Sequence, residues 1–186
     1  MLLRFINFKG CKMHQQFSIS PEEAKRAKWP HEIFLINLIF NHVLLFASTF
    51  GVYRTFPLLV LVVPVISFTI VSYIFIKARQ IAKSDETWFV KAHWQICAKR
   101  NRIFTMLLVA ACVISGGILL LSNALHWNQI ATIATISGLG MLPFMVSILV
   151  LIVLGNESVH LARTGKLSKR FVEQHPHPGA SAPPAQ

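Results

Sequence analysis

Acidic side chains are scarce in this chain. Only seven of its 186 residues are Asp or Glu, and charged residues of both signs make up 13%. An ordinary soluble domain carries about 25%. With 54% of residues hydrophobic, too little polar surface remains to cover a water-soluble globule. The same composition excludes intrinsic disorder over most of the length. Cysteine is scarce as well. Cys11, Cys97 and Cys112 are odd in number and match no metal-binding spacing, so neither a disulfide framework nor a zinc motif is expected. Phosphate-binding glycine loops, His-Glu-x-x-His, Cys-x-x-Cys and Ser-His-Asp sets are missing too. No carboxylate falls beside a histidine inside an apolar stretch. Enzymatic activity is therefore left open but unsupported.

What the chain does have is four long apolar runs, at about 33–53, 57–76, 103–125 and 130–154, free of Lys, Arg, Asp and Glu. Crossing about 30 Å of hydrocarbon takes roughly 20 helical residues. Barrel strands would be shorter and alternating. In lipid each backbone polar group needs a partner within the structure, so runs of this kind should be helices. Tight turns at 50–56 and 123–129 pair the runs into two antiparallel hairpins. The expected fold is an all-α integral membrane protein, a four-helix bundle with an amphipathic helix between the second and third spans. Residues 1–31 form an N-terminal arm, 32–155 the transmembrane domain, and 156–186 a basic segment with a His/Pro/Ala tail too poor in apolar residues to fold.

The basic residues set the orientation. Every Lys and Arg except Arg54 lies in the N-terminal arm, in the 77–102 connection or beyond residue 154. Such residues resist translocation, which predicts a multi-pass protein of the inner (cytoplasmic) membrane with both termini cytoplasmic. The formal net charge of +11 then reflects topology and attraction to anionic lipid headgroups, at about 1 kcal/mol per juxtamembrane base. Nucleic acid is not an expected partner, because no binding motif accompanies the charge. The first apolar residues are broken by Arg4 and Lys9, so a secretory signal is not expected there. Met13 is an alternative start to Met1.

Two helices are predicted on the basic face. Ser20-Pro21-Glu22-Glu23 is a helix start with a capping box and a first-turn proline. The helix should stop near Lys28, before Pro30, with Trp29 as an interfacial anchor. In the 84–102 connector, Phe89, Val90, His93, Trp94 and Cys97 share one face, and Lys91, Gln95, Lys99 and Arg102 the other. This pattern suits a helix lying on the membrane surface. It also suits a docking face for a partner subunit, carried by Trp88, Phe89, Lys91, Trp94, Lys99 and Arg102.

Few polar groups interrupt the apolar runs. Asn37, Asn41, His42 and Ser48 mark one side of the first run, with His42 near its middle. Interhelical hydrogen bonding, at about 0.6 kcal/mol per contact, accounts for such residues. His42 is also a weak metal candidate. As a haem b ligand it would need a second ligand at its own depth, for which Cys112, Met141 and Met145 are the available groups. Ala111, Ser115 and Gly116 on the third run, with Gly138 and Gly140 on the fourth, offer close helix packing. Pro64 and Pro143 predict kinks. The leading expectation is a non-catalytic accessory or scaffolding subunit. It would need no cofactor and would associate with other membrane subunits or with itself. The alternatives are a small b-type electron carrier using His42, or a small transporter or channel using the Asn37/Asn41/His42 face.

Overall fold

The computed structural model describes residues 14–48 and 56–175. The alternative start, the turn expected at 50–56 and all of the tail beyond His175 lie outside the described residues, apart from Phe56. A short strand β1 (His14–Gln16) precedes four long helices, α1 (Pro21–Ser48), α2 (Val62–Lys83), α3 (Trp88–Ala124) and α4 (Gln129–Arg163). A 3₁₀ turn, Pro57–Leu61, leads into α2. Strand β2 (Lys166–Ser168) and a short helix α5 (Lys169–Gln174) follow α4. Each long helix is long and apolar enough to cross a membrane, with mean hydropathies over an 18-residue stretch of 1.4, 1.6, 2.5 and 2.4 in chain order. Large apolar side chains such as Leu58, Leu120 and Ile130 stand exposed on the outside of the bundle.

Helix α1 begins where the sequence predicts. Ser20 Oγ accepts from the Glu23 backbone N–H at 3.1 Å. The second half of the capping box is diverted, because the Glu23 carboxylate accepts instead from the Thr87 hydroxyl at 2.6 Å. The predicted stop before Pro30 does not occur. The helix runs through Pro30 and onward to Ser48. An interior proline costs about 3 kcal/mol. Burial of Ala27, Pro30, His31 and Phe34 along one face offsets that cost, Phe34 alone contributing about 1.5–3 kcal/mol.

The connector also differs from expectation. No breaker separates Arg102 from Ile103, and α3 is one helix of 37 residues, about 55 Å long at 1.5 Å per residue. Thr87 caps it by accepting from the Val90 N–H. Residues 88–102 therefore extend the third apolar helix lengthwise. Their apolar face is covered from inside the protein. Phe89, Val90 and Trp94 are buried with Ala27 of α1, Ala78 of α2, Ala162 of α4 and Leu167 of β2. This corrects the docking-face expectation for Phe89 and Trp94. Trp88 is half-buried, its ring centroid 5.4 Å from that of Phe17. Lys99 and Arg102 remain exposed and Lys91 is half-buried.

A two-stranded antiparallel ribbon joins the two ends of the chain, with His14 opposite Ser168 and Gln16 opposite Lys166. It depends on Gly165, whose φ is +67° and where a Cβ would stand 2.6 Å from the Phe17 carbonyl oxygen. Glycine accepts that conformation at no steric cost. Helices α3 and α4 meet through a short turn in which Asn128 caps α4, accepting from the Ala131 N–H at 2.8 Å. The main core lies along the apolar runs, around Phe34, Leu38, Phe104, Phe144 and Ile148.

Candidate functional site

Two clusters of buried polar side chains stand out, one within the apolar runs and one at the basic end of the bundle. The first depends on the winding of α1. Residues Asn37–Leu45 are a π-helical stretch, whose i→i+5 bonding brings Asn37 and His42 onto one face. Both then reach the same residue of α2. Asn37 Nδ2 donates to Ser67 Oγ at 3.0 Å, and His42 Nε2 lies 2.9 Å from that oxygen. Asn41 Nδ2 donates to Asn37 Oδ1 at 3.1 Å and to the Val63 carbonyl at 2.9 Å. A carbonyl only accepts, so this contact fixes which way the Asn41 amide points. A neutral His42 protonated on Nδ1 gives each bond one donor and one acceptor, running Asn41, Asn37, Ser67, His42. Asn41 Oδ1 has no partner among the described residues.

All four side chains are buried. The His42 ring meets Phe104 and Phe144 edge-on, with centroids 5.2 and 5.5 Å away. Phe104 opens the third apolar run, two residues from Arg102, whereas Ser67 stands halfway along the second. The cluster thus lies between the middle of the bundle and its basic end. Ser48, expected on the same face, does not join it. Its exposed hydroxyl donates to the Leu44 carbonyl one turn back.

The second cluster joins α1, α3 and α4. His31 Nε2 and His93 Nδ1 are 3.1 Å apart, with ring planes at 90° and both rings fully buried. Next to them the Cys97 thiol donates to the Pro30 carbonyl at 3.2 Å. The Arg100 guanidinium donates to the Leu154 carbonyl and the Ser158 hydroxyl, tying α3 to α4. The arrangement suits two neutral imidazoles sharing one proton, one donating and one accepting. Replacing either histidine by Phe leaves a buried ring nitrogen without its partner, at about 1–3 kcal/mol. Replacing both removes donor and acceptor together. Thermal unfolding in detergent should therefore show His31→Phe/His93→Phe to be clearly less damaging than the sum of the single changes. Additive losses would show that the two rings do not depend on each other.

The small-residue faces divide. A Cβ on Gly140 would stand 2.7 Å from Ser115 Oγ, so these two meet between α3 and α4, and Ala111 is buried nearby. At Gly116, Gly117 and Gly138 a Cβ would meet nothing within 4 Å among the described residues. Gly155, which the sequence pattern did not single out, takes the Leu35 side chain, its Cβ position lying 2.8 Å from Leu35 Cδ2.

His31, Ser67, Arg100 and Phe104 are the residues that sequence reasoning missed. The one available signal was His93, which sits on the apolar side of its helix and so needed a buried partner. Among the described residues no group of three or more His, Cys, Asp or Glu is placed to hold a metal ion. Compared with known proteins, the chain matches no family model, no curated protein and no solved structure.

Proposed function

We propose that this chain is a non-catalytic, multi-pass protein of the inner membrane, with its basic ends in the cytoplasm, that acts as an accessory or scaffolding subunit. The observation that carries this reading is the use of its buried polar groups. Asn37, Asn41, Ser67 and His42 bond to one another and to the α2 backbone. Asn101 Nδ2 donates to the Val71 carbonyl at 3.1 Å, and Arg100 holds α4. Polar groups used in this way fix helix against helix. Bonds of this kind make the bundle rigid, which is what a scaffold requires. The open backbone at Gly116, Gly117 and Gly138 supports an association role, because small residues let a second helix approach closely.

The test is the native mass of the protein extracted in mild detergent. The expected particle is heavier than the 20.9 kDa chain, through a second copy or a co-purifying polypeptide. A lone monomer would overturn the reading.

A further inference from the structure

We propose that a cleft between the start of α1 and the end of α4 binds the phosphate headgroup of an anionic phospholipid. The cleft has a volume of about 510 Å³, and Lys25, Lys28 and Arg163 line it with Ile19, Ala24 and other uncharged residues. No carboxylate lines it. The Lys28 ammonium is held 2.9 Å from Glu32. Lys25 and Arg163 form no ion pair among the described residues. Two uncompensated cations from two different helices thus converge on one opening.

Free phosphate and a lipid headgroup share the chemistry that this opening recognises. The surface beside it decides for the lipid. Lys25, Trp29, Ile36 and Phe40 follow one another at helical spacing along α1, and the three apolar members are 51%, 51% and 61% exposed. An acyl chain lying on that stripe brings its phosphate to the cations at the stripe's end. The depth agrees. Lys28 is five residues short of Ile33, where the apolar run begins, or about 7.5 Å of helix. A headgroup layer is about 5–7 Å thick per leaflet. Of the acids on this stretch of α1, Glu32 is paired with Lys28 and Glu23 accepts from Thr87, while Glu22, one turn before Lys25, is exposed and lies outside the cleft lining.

The site rests on the reading of α1 as a membrane span, and its test separates the two. Carbonate washing of membranes that hold the full chain addresses the span. Release into the supernatant overturns the bilayer reading itself. Retention in the pellet leaves the lipid site to be decided by native mass spectrometry of the detergent-purified chain, titrated with dioleoyl phosphatidylglycerol and with dioleoyl phosphatidylcholine.

The expected result is one retained phosphatidylglycerol and no selective retention of phosphatidylcholine. At about 1 kcal/mol per base, Lys25→Ala/Arg163→Ala should weaken phosphatidylglycerol about 30-fold and each single change about fivefold. Lys99→Ala/Arg102→Ala, which removes the same charge from exposed positions on α3, should change it less than twofold. The single variants keep the test open if the double variant fails to fold. Equal loss in the two double variants would replace the site with diffuse attraction. Equal retention of phosphatidylcholine would overturn it. Complete displacement of phosphatidylglycerol by millimolar inorganic phosphate would assign the cleft to a free anion instead.

Discussion

Phe104→Ala is expected to destabilise the bundle by about 3–5 kcal/mol, the range for removing a fully buried aromatic ring. Phe104 has no exposed surface. Its ring meets Phe34 at 5.9 Å, His42 at 5.2 Å and Phe144 at 6.3 Å between centroids. It therefore contacts α1 and α4 at once from its place on α3. Such ring pairs contribute about 0.5–1.5 kcal/mol beyond the area they bury. The surrounding helices have little freedom to close over the gap. The hydrogen bonds from Asn37 and Asn41 hold α1 to α2, and Arg100 holds α3 to α4. Leu120→Ala is the control. Leu120 is 74% exposed on the same helix, and surrounding lipid or detergent refills the space it leaves. Thermal unfolding in a mild detergent should separate the two variants widely. Equal midpoints would mean that the aromatic cluster is not the centre of the fold. Phe104→Leu, which keeps an apolar side chain but loses the ring contacts, should fall between those two variants.

The parts of this fold that were legible in the sequence are those set by local composition. Continuous apolar runs mark the four long helices, because a segment of that length without charge can satisfy its backbone only within itself. Ser20 and Pro21 mark the start of α1 because capping is a matter of adjacent residues. The errors arose where a distant partner overrides a local rule. Pro30 signals a helix end, yet the chain stays helical because Ala27, His31 and Phe34 find buried partners across the bundle. Residues 88–102 read as a surface helix because their apolar face had no visible cover. That cover comes from Ala27, Ala162 and Leu167, far away in the chain. The ribbon of His14–Gln16 with Lys166–Ser168 is too short to leave a strand pattern.

The polar residues show the same limit. Asn37, Asn41 and His42 attract notice as polar side chains in an apolar run. Nothing local shows that π winding turns Asn37 and His42 to one face, or that Ser67 receives them. A serine in an apolar helix commonly bonds its own backbone one turn back, as Ser48 and Ser147 do here. His31 and His93 are 62 residues apart, and their pairing follows from α1 and α3 being neighbours.

That shared serine leads to the second large effect. Ser67 is fully buried, and its single oxygen serves both Asn37 and His42. Ser67→Ala removes one atom and leaves two buried polar groups without their partner. A single interhelical hydrogen bond in a membrane protein averages about 0.6 kcal/mol and reaches about 1.7. A buried group left unsatisfied costs about 1–3 kcal/mol where no alternative partner exists. Asn41 already uses both amide hydrogens and has none for the His42 ring, which Phe104 and Phe144 flank with apolar surface, while its unpartnered Oδ1 is the one nearby acceptor for Asn37. With two bonds lost at once, the expected loss is about 1–2 kcal/mol. Ser72→Ala, at an exposed position on the same helix, should be close to neutral. The decisive comparison is made in a His42→Phe background. There the serine has only Asn37 to satisfy, and Ser67→Ala should cost about half as much. A full, undiminished loss in that background would mean that His42 does not depend on Ser67, and the chain of bonds from Asn41 would then end at the serine.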